Sequence, residues 1–525
     1  MMFTKKYFRL LSYFFIFILA LIFLLYAQIK NTNGIDHLDY GDDVIVHIGF
    51  IQCFNMFTFE YCPQILHTTG KSAHTNRHII KKDINGRISN LQLSTYLYYD
   101  FLPKSMAKIG YITGIDTEPV DGQYSKLTDD IYVSRHGTTI PPLKGIDVLF
   151  NINYDPRRNW SILKDVSNVV GSKNTTISVY MHSRSASYHV IPDLKLSKDR
   201  FFKIVQLADL HFSVGPGICR DEFPPAKNCQ ADAKTIRFIE EVLDIENPDL
   251  IVFSGDQIMG DTCKLDSTSA LLKVVMPVVT REIPWTMVWG NHDDEGSLSR
   301  RELSQLASKL PFSMFQLDPY HDTSDNTFGM GNYIHKVKDS EGREVVTLIF
   351  LDSHKYSSLG KIYPGYDWIK EPQLEYIKNN LGPATPLGLA FFHIPLPEYA
   401  NLDSKSQPGS QNKFVGTFKE GVTAPKFNSG ALKVLKDLNI QVVSVGHDHC
   451  NDYCLLDDSF ERKTWLCYGG GTGEGGYGGY GGTERRIRIY EIDTKDMSIY
   501  SWKRLNGSPN KKFDEQLLVQ GCEAL

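Results

Sequence analysis

Five polar motifs each sit directly behind an apolar, strand-like run: Asp209-Leu210-His211, Gly255-Asp256, Gly290-Asn291-His292-Asp293, His393, and Gly446-His447-Asp448-His449. The runs before them lie at 203–207, 250–253, 285–289, 389–392 and 442–445. Between the first three, segments 235–246 and 269–281 space their apolar residues as a helix does, as at Ile236, Ile239, Val242 and Leu243. Helices are also expected at 372–379 and 431–438, and strands at 345–351, 465–468, 486–492 and 498–503. Alternating strand and helix means crossover connections and a largely covered sheet, so this part of the chain reads as α/β. In such sheets functional groups collect beyond the carboxyl ends of the strands. Loops from neighbouring strands can therefore meet at one point.

The side chains in these loops are oxygen and imidazole donors. Asp209, Asp256 and Asn291 supply oxygen, and His211, His393, His447 and His449 supply nitrogen. Mixed sets of this kind suit Mn, Fe, Zn or Co, whereas a soft-metal site needs more sulfur. These ligands are too many for one tetrahedral ion, and they suit two ions sharing a bridge. Asp256, on a glycine-preceded turn, is the natural bridging carboxylate. Two cations about 3.5–4 Å apart can hold a hydroxide and clamp a phosphate for in-line displacement. A lone Asp-x-His behind a strand is usually structural, and Gly-Asp alone says little. The joint order of the motifs carries the reading.

That order resembles the calcineurin-like metallophosphoesterase superfamily over roughly residues 200–505. The resemblance implies a sandwich of two mixed β-sheets flanked by helices. It implies one metal on Asp209, His211, Asp256 and His449, and another on Asp256, Asn291, His393 and His447. It makes His292 the general acid and gives Asp293 the task of orienting it. The implied cofactors are two divalent or mixed-valence ions (Mn, Fe or Zn), and the implied reaction is phosphomonoester hydrolysis by a metal-bound hydroxide. Purple acid phosphatases are similar, but they carry D-x-G where this chain has Asp209-Leu210-His211, and a tyrosine where it has Met259. A closer likeness is to the fungal dose-dependent cell-cycle regulator phosphatases and plant purple acid phosphatase 29-like proteins. It rests on Trp289–Gly296, on Gly446–Asp452, on Trp465-Leu466-Cys467-Tyr468-Gly469-Gly470 with the glycine run to Gly482, and on Ser501–Leu505. This likeness implies phosphoprotein substrates and a role in cell-cycle and stress signalling. A phosphodiesterase or nucleotide hydrolase with the same metals is the alternative, and a catalytically inactive membrane scaffold is a third reading.

Other motifs weigh less. Asp352-Ser353-His354 falls out of order and is expected to be structural. The G-x-G-x-x-G at Gly471–Gly476 is followed by more glycine and no helix, so a flexible loop at the cleft rim is expected rather than a nucleotide site. Arg485, Arg486 and Arg488 read as a solvated strand face. Cys219 and Cys229 flank a loop, and Cys450, Cys454 and Cys467 cluster, as pairs or, with little weight, as zinc ligands.

The flanks address the chain. Lys5, Lys6 and Arg9 in a basic segment, 1–9, precede the apolar run 10–27, long enough for a bilayer helix and preferred as a signal anchor over a cleaved signal. A linker at 28–44, a β-rich N-terminal domain at 45–195, a metallophosphoesterase domain at 200–505 and a tail at 506–525 complete the expected layout. On this reading the chain is a single-pass membrane protein of the secretory pathway (endoplasmic reticulum or vacuole). The catalytic domain is expected in the lumen, and the expected partners are the membrane, through the N-terminal helix, and a phosphorylated substrate, a phosphoprotein. Sequons at Asn159, Asn174 and Asn506 fit that side. The net charge of −5 argues against a general nucleic-acid binder, which should be basic.

Overall fold

The structure, a computed structural model, describes residues 42–56, 59–62, 76–86, 91–108, 110–116, 124–128, 131–136, 141–163, 174–181, 191–196, 200–317, 327–402, 414–479 and 481–525. The expected anchor at 10–27 lies outside them. The expectation of a single-pass membrane protein with a lumenal catalytic domain is corrected. Among the described residues no helix is long and apolar enough to cross a membrane. The longest of them has 16 residues and buries only one face, whereas a span needs about 17–25 apolar positions.

The described residues divide into two compact units, one within Met1–Val148 and Ser161–Arg184, the other within Leu149–Trp160 and Ser185–Leu525. The described part of the first is built of strands. β1 (Asp43–Met56), β2 (Phe59–Tyr61), β3 (Asn76–Ile79) and β4 (Leu91–Pro103) make one sheet in the order β2-β1-β4-β3. β5 (Tyr111–Asp116), β6 (Tyr124–Thr128) and β7 (Ile131–His136) make a second, and β8 (Leu143–Phe150), β9 (Trp160–Ile162) and β10 (Thr175–Met181) a third. Ile45, Ile48, Ile51 and Cys53 turn their side chains inward along β1, and Cys53 is bonded to Cys62.

The second unit holds two mixed sheets of seven strands. The first sheet begins with β11 (Phe201–Leu207), β12 (Leu250–Ser254) and β13 (Trp285–Val288), all parallel. The second sheet begins with β14 (Tyr333–Lys338), β15 (Glu344–Phe350), β16 (Leu387–Phe391), β17 (Phe414–Val415), β18 (Val442–Val445), β19 (Cys454–Asp457) and β20 (Thr464–Tyr468), of which β15, β16, β18 and β20 run parallel. β21 (Arg486–Asp493), β22 (Ser498–Leu505), β23 (Ser508–Gln520) and β24 (Glu523–Ala524) return antiparallel to the first sheet beside β11. Residues 506–525, expected as a tail, thus supply two of its strands.

Helices cover these sheets: α1 (Ala231–Glu246), α2 (Ser267–Val279), α3 (Arg300–Lys309), α4 (Glu371–Asn380) and α5 (Ala431–Asp437). α1 buries Phe238, Ile239, Val242 and Leu243. Asp266 caps α2 by accepting the amides of Thr268 and Ser269, and Ser299 with Glu302 forms a capping box on α3. Leu374 and Ile377 of α4 and Leu432 and Leu435 of α5 share one buried cluster with Ile349, Ala390, Val443 and Leu466 of the second sheet. Gln206 joins the sheets. Its Nε2 donates to Ser254 Oγ (2.9 Å) and Val445 O (3.1 Å), and its Oε1 accepts from Ser444 Oγ (2.6 Å). A buried amide satisfied on all sides avoids the desolvation cost of an orphaned one and fixes how the sheets register.

Candidate functional site

Each sequence motif leaves the carboxyl end of a parallel strand. Asp209 and His211 follow β11, Asp256 follows β12, Asn291 follows β13, His393 follows β16, and His447 and His449 follow β18. The sheet pairing brings the ends of both sheets to one place. All seven side chains are buried. Asp209, His211, Asp256 and His449 form one cluster of ligand-type atoms, and Asp256, His393 and His447 a second. Asp256 belongs to both, its Oδ2 lying 3.7 Å from His211 Nε2 and 3.3 Å from His393 Nε2. His449 Nε2 lies 3.5 Å from Asp209 Oδ1. Asp209, His211, Asp256 and His447 hold φ of 55°, 50°, 52° and 79°. Left-handed backbone costs a non-glycine residue about 1–3 kcal/mol and persists only where the surrounding structure over-determines it.

The atoms of the site fit cations. The Nδ1 atoms of His393 and His449 lie 3.0 Å from Ser254 O and 2.9 Å from Tyr477 O. A carbonyl only accepts, so those nitrogens carry hydrogen and the Nε2 lone pairs are left for a ligand. His211 Nε2 and His449 Nε2 approach to 3.0 Å, and His447 Nδ1 and His393 Nε2 to 3.3 Å. Facing lone pairs are tolerated only around a shared proton or cation. Both amide atoms of Asn291, His211 Nδ1 and His447 Nε2 are buried with no hydrogen-bond partner. Such orphans are costly unless something else satisfies them.

Electrostatics points the same way. Burial pushes Asp209 up to about 8, with Asp256 adding to it. Burial opposes the charge on Asp256, but His393, His211 and His292 together hold it well below the carboxylate range. Burial pulls His393 down, yet Asp256 and then Asp209 carry it up to about 9. Burial lowers His211 and His447 to about 3. Without a cation, the two buried carboxylates thus favour protons held on Asp209 and His393. A cation bound there would displace those protons, so its uptake would strengthen as pH rises.

Asp293 is not where the sequence reading put it. Its carboxylate accepts the backbone amides of Asp256 (3.0 Å), Ile258 (3.0 Å) and Gly290 (2.7 Å), and does not touch His292. The three amides point into one pocket beneath the loops, which is why the carboxylate turns inward. The partner of His292 is Glu295, with Nδ1 and Oε2 2.7 Å apart. Asp293→Ala is accordingly expected to loosen the β12 and β13 loops together. A thermal melt should show destabilisation of about 2–4 kcal/mol from the orphaned amides, with metal content falling alongside.

Residues the sequence reading assigned elsewhere brace the site. Arg485, Arg486 and Arg488, expected on a solvated face, are buried. Arg486 Nη2 donates to His449 O (3.0 Å), Arg488 Nη2 to Asp452 O (2.6 Å), and Arg485 Nη2 to Gly476 O (2.8 Å). The ring of Tyr477 stacks on His449 at 3.9 Å, and that of Tyr366 stands edge-on to His447 at 4.4 Å. Neither tyrosine carried a motif. Asp352 and His354 stay outside both ligand clusters. Asp352 pairs with Arg300 (2.7 Å), whose other nitrogen holds Gly290 O, and His354 Nε2 meets Gln373 Oε1 (2.8 Å). Disulfides join Cys219 to Cys229 and Cys454 to Cys467, which removes the zinc reading, and Cys450 is a free buried thiol.

The family profile described as calcineurin-like phosphoesterase matches residues 202–451. Phosphatase DCR2 of Saccharomyces cerevisiae is 45% identical over 525 residues, covering 94% of this chain and 90% of that one. The Arabidopsis thaliana protein named "Probable inactive purple acid phosphatase 29" is 36% identical over 354 residues, covering 62% of this chain and 87% of that one. An uncharacterized protein of Schizosaccharomyces pombe, C1020.05, is 37% identical over 315 residues, 59% of this chain and 57% of its own length. With so extended a likeness to a full-length relative, the chain belongs to the calcineurin-like phosphoesterase family and is a phosphatase.

Proposed function

We propose that this site hydrolyses phosphomonoesters carried on protein side chains, using two bound cations. One observation carries the reading: Asp256 is common to two clusters of ligand-type groups, with its Oδ2 near a histidine of each. One cation would sit among Asp209, His211, Asp256 and His449, and the other among Asp256, Asn291, His393 and His447. The pair, Mn, Fe or Zn by donor type, would neutralise the phosphoryl oxygens and acidify a water.

The chain supplies the rest. His292 is a third exposed and so stands at the mouth of the site, while the ligands lie beneath it. Burial pulls its pKa down, but Asp256 and Glu295 raise it on balance, which favours the protonated ring. With Nδ1 engaged by Glu295, Nε2 is the atom left to give a proton to the departing oxygen. Water supplies the hydroxyl that adds to phosphorus, and the alcohol leaves with the proton from His292. A proton donor at an open rim suits a phosphate presented on a large partner.

His292→Ala should leave metal content unchanged and lower turnover of a phosphoserine peptide by about 10²–10³-fold. Full activity in that variant would remove His292 from the chemistry. Faster cleavage of nucleotides or diesters than of phosphopeptides by the unaltered protein would overturn the substrate assignment.

A further inference from the structure

We infer that Glu295 is the positioning residue for the proton donor, a task it takes in place of Asp293; the inference rests on the reading of His292 just given. Glu295 Oε2 lies 2.7 Å from His292 Nδ1. The contact is built into the backbone. His292 is followed by a single 3₁₀ turn, Asp293–Glu295, and Glu295 N–H donates to His292 O at 3.3 Å. That turn places residues three apart on one side. It also seats the pair against Gly260, where a β-carbon would stand 2.2 Å from His292 O and 2.8 Å from Glu295 Cβ. The nearer acid in sequence, Asp293, is engaged instead by three backbone amides.

A carboxylate accepting from Nδ1 does two things to an imidazole. It fixes the tautomer and the ring plane, and it stabilises positive charge on the ring. Nε2–H is then held toward the leaving oxygen. As the P–O bond breaks, its electron pair stays on the oxygen and the Nε2 proton follows. The ring is left neutral with Nδ1–H still on Glu295, and solvent returns a proton to Nε2. Without Glu295 the ring keeps its place in the chain but loses its set orientation. The loss should depend on how much the leaving group needs a proton.

The test compares the metal-loaded wild type with Glu295→Ala, Glu295→Gln and His292→Ala on two esters. p-Nitrophenyl phosphate leaves as a stable phenolate, and a phosphoserine peptide leaves as a poor alkoxide. Glu295→Ala should lower kcat on the peptide by about 10–100-fold, with a clearly smaller loss on the nitrophenyl ester. KM and metal content should stay near those of the wild type. Glu295→Gln, which can still accept from Nδ1, should recover part of the loss. An equal loss on both esters, or none, would overturn the role of Glu295. If His292→Ala shows the leaving-group bias and both Glu295 variants lack it, only this inference fails. If His292→Ala itself lacks the bias, the reading of the proton donor fails and takes the inference with it.

Discussion

Asp256→Asn should abolish hydrolysis and metal binding together. The amide is almost the same size as the carboxylate, so the argument turns on charge and on hydrogen. In the native side chain Oδ1 accepts His292 N–H at 2.9 Å, and Oδ2 faces His211 Nε2 and His393 Nε2. An asparagine must put its NH₂ on one side or the other. Toward His292 it sets donor against donor. Toward the histidines it points hydrogens at the nitrogens meant for the cations. Either way the one group common to both clusters loses its charge. Removing several kcal/mol of stabilisation corresponds to at least about 10³-fold in kcat/KM. Elemental analysis of the purified variant should find well under two metals per chain. Two bound metals with more than about a tenth of wild-type turnover, a cost of only ~1.4 kcal/mol, would refute the shared-bridge reading.

The ligand motifs were legible in sequence because each is local: a polar group behind an apolar run, on a strand whose end must face the same rim as its neighbours. What surrounds them is not local. Whether Asp293 or Glu295 serves His292 was decided by one tight turn and by three backbone amides, one from Gly290 beside it and two from the β12 loop. Charge alternation along Arg485, Arg486 and Arg488 reads as a wet surface in one strand. It becomes a dry one because carbonyls of Gly476, His449 and Asp452 are brought against it from other loops. β23 is hard to read from sequence for a related reason. Its first part, Ser508 to Glu515, is mostly polar and at least partly exposed, Phe513 included, and only Leu517 to Val519 show the apolar run of a strand. Tyr333–Lys338 alternates buried and part-buried positions, but with His335 and two lysines in it the pattern is weak by composition. Helix α3 carries two signals, the capping box of Ser299 with Glu302 and a short buried stripe of Leu303, Leu306 and Ala307.

The glycine run after β20 gives the other large expected effect. In sequence it looks like a flexible rim; in the folded chain it is a wall. Tyr477 O takes the Nδ1 hydrogen of His449, and Arg485 holds the carbonyls of Gly476 and Tyr477. Between them Gly476 lies flat against two candidate ligands. A β-carbon there would stand 2.5 Å from His449 Cε1 and 2.7 Å from His211 Cδ2. Carbon atoms rest about 3.5–4.0 Å apart, so each ring would have to retreat by roughly 1 Å. Metal–ligand distances tolerate only about ±0.2 Å. The wall cannot yield instead, because its carbonyls are tied to a buried arginine. Gly476→Val should therefore empty the cluster of Asp209, His211, Asp256 and His449, while the cluster of His393 and His447, which Gly476 does not touch, keeps its ion. The variant should hold about one metal per chain instead of two and lose at least about 10³-fold in turnover, since one cation cannot clamp both sides of the phosphoryl group. Gly476→Ala should do the same more weakly and respond to excess metal. Two metals and wild-type turnover in Gly476→Val would mean that the loop moves freely and that the glycines serve mobility after all.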